Sequence, residues 1–279
     1  FDASVGALTC YELGGNQLID APLVPCFARA ATENDLGAGH DRRMKHWREA
    51  QFKVADFTVT ATDGCYRVTL SYEPIQDFAQ VFMTYNVYAD GVIEAVEEFK
   101  DAGNLENGKL IARIGMEFAM PGEYATLEYF GLGPFENYSD RNSSALMGHY
   151  VQRVEDQYHY GYVRPQESGT KTQIKWMRVL DDNGAGIQIT SDVKFSASAL
   201  PFHWKQMDVR QLGNNQTHSL ELKHLAHEGE RSDGKTWVNF DLVQMGLGSV
   251  DSWGSWPLFE HLVVPQPYVF RFVITPVNN

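Results

Sequence analysis

The segment Phe57-Thr58-Val59-Thr60-Ala61-Thr62-Asp63-Gly64-Cys65-Tyr66-Arg67-Val68-Thr69-Leu70 decides the fold class. On both sides of Asp63-Gly64, apolar or aromatic side chains alternate with polar ones, which is the pattern of strands with one buried face. An Asp-Gly pair between two such runs favours a tight turn in which the backbone takes positive φ. The segment therefore predicts an antiparallel β-hairpin.

The same pattern recurs along most of the chain. Residues 81–88 and 92–96 flank Asp90-Gly91, and a short hairpin is predicted around Gly14-Gly15-Asn16. Further strands are predicted at residues 110–120, 126–129, 172–180, 186–190, 218–225, 236–243 and 268–275. Many short strands, almost no helix and no internal repeat predict an all-β fold, a large antiparallel β-sandwich built from two sheets. We expect residues 1–279 to form a single domain.

Two stretches depart from the strand pattern. Residues 40–51 contain no glycine or proline and place Met44 and Trp47 three positions apart, which predicts one helix. Residues 32–37 are polar and end in a glycine, which predicts a loop.

The composition bounds the function. A net charge of -13 and a pI near 5.1 argue against nucleic-acid binding, which needs a basic surface. No apolar run reaches the length of a membrane-spanning helix, so no membrane partner is predicted. Cys10, Cys26 and Cys65 form an odd set without metal-ligand spacing, and their apolar or strand-like surroundings predict buried free thiols.

The segment Met245-Gly246-Leu247-Gly248-Ser249-Val250-Asp251-Ser252-Trp253-Gly254-Ser255-Trp256 carries the strongest sign of a binding site. It follows one predicted strand and precedes another, and two glycines two positions apart permit a sharp turn. An exposed indole beside small polar groups can hold a sugar, because the ring packs on the C–H face while the polar groups take hydroxyls. The alternative is that both tryptophans close one end of the core.

Three other segments combine turn residues with charge. Phe27-Ala28-Arg29-Ala30 leads into the Asn34-Asp35-Leu36-Gly37 segment, and Tyr162-Val163-Arg164-Pro165-Gln166-Glu167-Ser168-Gly169 is predicted to be a loop pinned by polar side chains. The third segment lies between these two in the chain and is predicted to end a strand in a tight bend. Its sequence is Gly131-Leu132-Gly133-Pro134-Phe135-Glu136-Asn137-Tyr138-Ser139-Asp140-Arg141. In this last segment Glu136, Asp140 and Arg141 are predicted to form a charge-assisted network that supports the loop.

These four segments, taken in their order along the chain, resemble the C-terminal or small-chain domain of the large family-two β-galactosidases. Four positions depart from the family pattern: Ser139, Thr170, Ser249 and Val250. The resemblance covers roughly residues 1–275 and implies the super-sandwich fold that this domain shares with galactose mutarotase. Because the sequence opens on Phe1 in strand-like residues, we expect a fragment of a longer chain, and its cellular compartment stays open.

The resemblance also implies a sugar site. In the family, the tryptophan that matches Trp253 reaches into the active site and stacks on the sugar, and the loop that follows the Asn34 segment lies at the mouth of the same site. The predicted substrate-binding residues are Trp253, Asp251, Ser252, Asn34, Asp35 and Gly37. No catalytic and no metal-binding residue is predicted in this chain.

The chemistry is expected to lie elsewhere. Retaining hydrolysis of a terminal β-D-galactoside needs two carboxylates. In the family these belong to a (β/α)₈ barrel, of which this sequence shows no βα repeat. The magnesium and sodium ions of the family are likewise expected outside this domain. The implied partners are a galactoside and the remaining domains of a parent β-galactosidase, and the chain alone is expected to be inactive.

Two other functions stay open from the residues alone. A stand-alone aldose epimerase of the mutarotase type would need a general acid and a general base in one cleft, and Glu136 with His149 or His159 could supply them. A plain carbohydrate-binding or packing module is the other. The exposure of Trp253 discriminates between binding and packing, because a buried indole would favour packing and an exposed one would favour binding.

Overall fold

The computed structural model describes residues 1–108, 110–208, 233–248, 250–251 and 253–278. The strands are β1 (Glu12–Leu13), β2 (Asn16–Gln17), β3 (Ala21–Cys26), β4 (Val54–Ala61), β5 (Cys65–Tyr72), β6 (Ala79–Tyr88), β7 (Ile93–Asp101), β8 (Arg113–Pro121), β9 (Thr126–Gly133), β10 (Leu146–Arg153), β11 (Lys171–Leu180), β12 (Gly186–Leu200), β13 (Lys235–Gln244) and β14 (Tyr268–Val277). The α-helices are α1 (Glu33–Ala38), α2 (His40–Arg43), α3 (Lys45–Arg48) and α4 (Trp204–Met207), and single 3₁₀ turns lie at Leu105–Asn107, Val154–Asp156 and Phe259–His261.

Twelve of the described strands form one antiparallel sheet that curls on itself. Its main path runs β10-β9-β11-β12-β14-β7-β6-β5-β4, while β13, β8 and β3 branch away from β12. The branch arises because residues 186–191 of β12 pair with β14, whereas residues 196–200 of the same strand pair with β13. The predicted large antiparallel β-sandwich is confirmed, but its layers belong to one sheet that is continuous through this long strand, and not to two separate sheets.

The core lies between the two layers. Phe240 of β13 packs on Phe272 of β14 with ring centroids 4.9 Å apart, although these strands are not hydrogen-bonded neighbours. Phe118 of β8 reaches the same ring at 6.2 Å. Burying each such side chain contributes roughly 1.5–3 kcal/mol to the stability of the fold. The apolar side chains whose alternation predicts the strands are therefore also the ones that stabilise the packing of the layers.

Most predicted strands are confirmed. Asp63-Gly64 joins β4 to β5 and Asp90-Gly91 joins β6 to β7, with positive φ at both glycines. Strand β10 is absent from the sequence prediction because it is an edge strand with many exposed side chains and no clear apolar alternation. The strand predicted at residues 218–225 lies outside the described residues.

The helical predictions need correction. Residues 40–51 form two single turns, α2 and α3, on either side of Met44 instead of one helix. Residues 32–37, predicted to be a loop, begin helix α1. Thr32 Oγ1 accepts a hydrogen bond from the Asp35 N–H, and the Asp35 carboxylate accepts one from the Thr32 N–H. This Thr-x-x-Asp capping box is the sequence signal for the helix start.

The cysteine prediction is wrong in part. All three cysteines are free, but only Cys26 is buried, while Cys65 is half-buried and Cys10 is exposed. Burial raises the pKa of the Cys26 thiol, and the Glu117 charge adds to that effect.

Among the residues that the structure covers, no helix has both the length and the apolar character needed to cross a membrane.

Candidate functional site

The four sequence motifs meet around one open cleft, which we call the Trp253 cleft. Its volume is about 470 Å³. It is lined by residues 32–34, 140–141, 162, 166–167, 247–248 and 253. Every motif that stood out in the sequence therefore contributes to this one place, although the motifs are separated by more than two hundred residues in the chain.

Trp253 is the most exposed large aromatic side chain at the cleft, with 71% of its surface accessible. Its indole rests on Gly37, where a Cβ atom would lie only 2.8 Å from Trp253 Cε2 and 2.9 Å from Cδ2. Contacts that close are essentially never seen for a real Cβ, so the approach requires glycine at this position. Trp253 and Gly37, two of the predicted substrate-binding residues, are therefore in contact, and the exposure of Trp253 disfavours the packing alternative. The contact of Trp253 with sugar stays a prediction.

Asn34 holds the two ends of the loop that carries Trp253. Its amide nitrogen donates to the carbonyl oxygens of Leu247 and Ser255, each at 2.8 Å. Its amide oxygen accepts from the Gly254 N–H at 2.5 Å. Each such bond contributes about 1 kcal/mol. Because both amide hydrogens are used and the side chain is buried, Asn34 can position Trp253 but has little left to offer a ligand.

Asp35 and Arg29 form a buried ion pair beneath the same loop. Arg29 Nη2 lies 2.8 Å from Asp35 Oδ1, and the guanidinium also donates to the carbonyl oxygens of Met245 at 2.6 Å and Gly246 at 3.0 Å. Burial opposes the charge on Asp35, but Arg29 and the surrounding hydrogen bonds outweigh it and hold the pKa of this carboxyl well below its usual range. Asp35 therefore supports the site from within the fold.

Asp140 corrects one sequence prediction. Instead of joining a network with Glu136 and Arg141, its carboxylate accepts hydrogen bonds from the backbone N–H groups of Leu247 at 3.0 Å and Gly248 at 2.8 Å. Asp140 thus fixes the start of the loop, where Asn34 also donates to the Leu247 carbonyl oxygen. The loop is held by three buried or partly buried side chains, those of Arg29, Asn34 and Asp140.

Glu136 and Arg141 do form the predicted supporting network. Arg141 Nη2 donates to Glu136 at 2.6 Å, and Glu136 also accepts from the Tyr162 hydroxyl, from Ser168 Oγ at 2.8 Å and from the Gly169 N–H at 2.8 Å. Burial and the neighbouring Glu136 charge raise the pKa of Tyr162 to about 12, so this hydroxyl stays protonated at neutral pH. The loop at residues 162–169 is pinned by polar side chains, as predicted.

The remaining predicted site residues lie on the Trp253 loop or beside it. Asp251 is exposed and accepts a hydrogen bond from the Ser255 hydroxyl. Ser252 lies outside the described residues, as does Ser249. Trp256 is 40% exposed and packs edge-on against His40 with ring centroids 4.8 Å apart, so it has a packing partner on α2.

The family follows from comparison with known proteins. The sequence matches the family described as beta galactosidase small chain over residues 1–274. The chain belongs to the β-galactosidase small-chain family. We call it the small-chain domain below, and the resemblance of its motifs to that family is confirmed.

Individual relatives extend well beyond this region. A β-galactosidase of Streptococcus thermophilus is 32% identical over 277 residues, which cover 97% of the small-chain domain and 25% of the relative. A β-galactosidase of Halalkalibacterium halodurans is 29% identical over 277 residues, covering 98% and 26%. The small-chain domain therefore spans about a quarter of the length of these relatives.

A solved structure is similar over most of both chains. The galactose mutarotase related enzyme from Lactobacillus acidophilus has 8% sequence identity and a TM-score of 0.44, over 95% of this chain and 88% of that one.

Sequence reasoning did not assign Asp140 or Tyr162 to the cleft, or Arg29 to the support of its loop. Each lies inside a family motif, and that position is the only signal by which the sequence marks them. Their partners are too distant in the chain to be read locally, since Arg29 contacts Met245 and Asp140 contacts Leu247.

Proposed function

We propose that the small-chain domain is the non-catalytic C-terminal part of a β-galactosidase that hydrolyses terminal β-D-galactosides, and that Trp253 contacts the sugar. The observation that carries the proposal is the exposed indole at the rim of a cleft built by all four family motifs. A rigidly held aromatic face beside polar groups is the usual arrangement for a sugar ring. The remaining domains of the parent enzyme would complete the site.

The carboxylates that line the cleft do not form a catalytic pair. Asp140 binds two backbone N–H groups, and Glu167 accepts from Arg113, Thr170 and Gln244 at 3.0–3.1 Å. Glu33 is partly exposed, with Arg164 at 3.8 Å. Retaining hydrolysis needs one carboxylate as nucleophile and another as acid and base on opposite sides of the bond. We therefore assign both to the parent's barrel.

Within the described residues, the side chains do not fit a metal site. Over the described ranges, no three His, Cys, Asp or Glu side chains come together in a way that could hold a metal ion. We propose that the magnesium and sodium of the parent enzyme bind outside this domain.

The epimerase alternative lacks its geometry. Glu136 binds Arg141, Tyr162, Ser168 and Gly169, whereas His149 lies 2.7 Å from Glu128 across β9 and β10. His159 packs edge-on against the Tyr162 ring with centroids 4.6 Å apart. The side chains that would act as general acid and general base therefore contact other partners and not each other. The comparisons also favour the β-galactosidase family.

The isolated small-chain domain is expected to show no hydrolysis of an aryl β-galactoside, because it lacks the two carboxylates that the reaction requires. The assay is nitrophenol release by the purified chain, with a mock purification from the same host as the control for contaminating enzyme. Turnover that follows the protein through purification and exceeds the mock would overturn the assignment.

The isolated chain is also expected to bind galactose or lactose with dissociation constants of roughly millimolar or weaker. A single aromatic platform with a few polar neighbours contributes about 1–3 kcal/mol, which association costs largely offset. Titration followed by NMR measures this range. Micromolar binding would instead identify an autonomous carbohydrate-binding module.

A further inference from the structure

We infer that the part of the Trp253 cleft formed by Glu33, Arg141, Tyr162 and Gln166 is a subsite for a neutral sugar unit of a longer substrate. Trp253 would stack on the unit directly after the scissile bond, and the subsite would hold the unit after that. A terminal galactoside extends only on its leaving-group side, so a longer substrate reaches the subsite from that side. The inference rests on the proposed function, because it takes Trp253 as a sugar platform.

The cleft has room beyond one stacked ring. Its volume of about 470 Å³ falls within the range of 300–1,000 Å³ that is typical of small-ligand sites. Trp253 contacts Gly37, and the cleft is also lined by Arg141 and Tyr162, which contact each other at 3.2 Å. The cleft therefore offers a second wall with its own aromatic ring and charged group.

The polar groups of this second wall are held in place but not used up. Arg141 is half-exposed, and Glu136 and the Tyr162 hydroxyl anchor its Nη2 atom. Within the ranges that the structure covers, Arg141 Nε and Nη1 have no hydrogen-bond acceptor in the protein. Gln166 is fixed by the Glu33 N–H at 3.3 Å, and the Glu33 carboxylate is close to half-exposed. Pre-organised donors and acceptors of this kind suit sugar hydroxyls.

The charges of the lining select a neutral unit. Three carboxylates, those of Glu33, Asp140 and Glu167, line the cleft, and Arg141 is the one guanidinium among its described lining residues. Most of these charges already have an opposite partner, since Arg141 lies 2.6 Å from Glu136, Arg113 lies 3.1 Å from Glu167 and Arg164 lies 3.8 Å from Glu33. An anionic sugar would therefore find no unpaired guanidinium among the described lining residues, and the net charge of -13 disfavours its approach.

The test uses the full-length enzyme that carries this domain, with two substrates. Lactose reaches only one sugar unit past the scissile bond, whereas galactosyl-lactose, a neutral trisaccharide, reaches two. Glu33→Ala is expected to lower the ratio of kcat/KM for the trisaccharide to that for lactose by about threefold to tenfold, the size of one or two hydrogen bonds. Glu106→Ala, which removes an exposed glutamate from the 3₁₀ turn at Leu105–Asn107, is the matched control and should leave the ratio unchanged.

Each outcome decides between the two proposals. If Glu33→Ala and Glu106→Ala both leave the ratio at its wild-type value, the subsite is wrong. If Trp253→Ala also leaves both substrates unaffected, the proposed function fails as well. A trisaccharide oxidised to the aldonic acid at its reducing end should have a lower kcat/KM than its neutral form, and equal or better turnover of the anionic form would overturn the charge argument. Thermal unfolding of Glu33→Ala shows whether a changed ratio comes from a folded enzyme.

Discussion

Trp253→Ala in the full-length enzyme is expected to weaken substrate binding by about tenfold or more, which is the loss of roughly 1.4 kcal/mol of contact. In that enzyme the sugar is already held by other groups, so the indole contact adds to affinity without a second association cost. Because 71% of the Trp253 surface is accessible, the domain should lose little stability, within about 1 kcal/mol. The measurement is KM and the inhibition constant of a competitive galactoside.

Trp256→Ala is the control for the loss of an indole from the same loop. This side chain packs on His40 and is less exposed, so its removal should leave substrate binding close to the wild-type value. Wild-type kinetics for Trp253→Ala, or an equal loss for the two variants, would show that Trp253 has no specific part in binding.

Arg29→Ala is expected to destabilise the domain by about 3–5 kcal/mol. The substitution leaves the buried Asp35 carboxylate without its cation and removes the donors to Met245 and Gly246. Urea denaturation measures the loss as a lower midpoint. Arg153→Ala is the matched control, because Arg153 pairs with Glu155 and Asp182 at the surface and such pairs contribute about 0–1 kcal/mol. Equal losses in the two variants would contradict the assigned role of the buried pair.

The same variant predicts a pH dependence. Since the folded pKa of Asp35 lies below its unfolded value of about 3.9, its stabilising contribution is fully present above that pH and is lost as the pH falls further. Without Arg29 the buried carboxyl resists ionisation. The difference in stability between wild type and Arg29→Ala should therefore be largest near neutral pH and should shrink below pH of about 4. A difference that stays constant down to acid pH would argue against an ionised Asp35.

The strands could be predicted because their signals are local. Alternation in residues 57–70 and an Asp-Gly turn suffice for a hairpin, and the structure has β4 and β5 there. The division of β12 between two partners could not be predicted in this way, because it depends on pairing with β13 and β14 far along the chain. The edge strand β10 carries too many exposed side chains for its pattern to stand out.

The candidate site shows the same limit. The motifs mark Asn34, Asp35 and Trp253 together, but residue type alone does not distinguish a side chain that contacts the sugar from one that holds the loop in place. Burial and hydrogen bonding do so: Asn34 and Asp35 are enclosed and bonded to the loop, whereas Trp253 is exposed. The role of Asp140 depends on its contact with Leu247, which lies more than a hundred residues away.

The most direct measurement is a structure of the full-length enzyme with a non-hydrolysed galactoside bound. Our account predicts that the Trp253 indole lies within about 4.5 Å of the sugar ring carbons, at the rim of a barrel that supplies both catalytic carboxylates. A bound galactoside beyond contact distance of Trp253, or a Trp253 covered by a neighbouring domain and closed to the sugar, would contradict it.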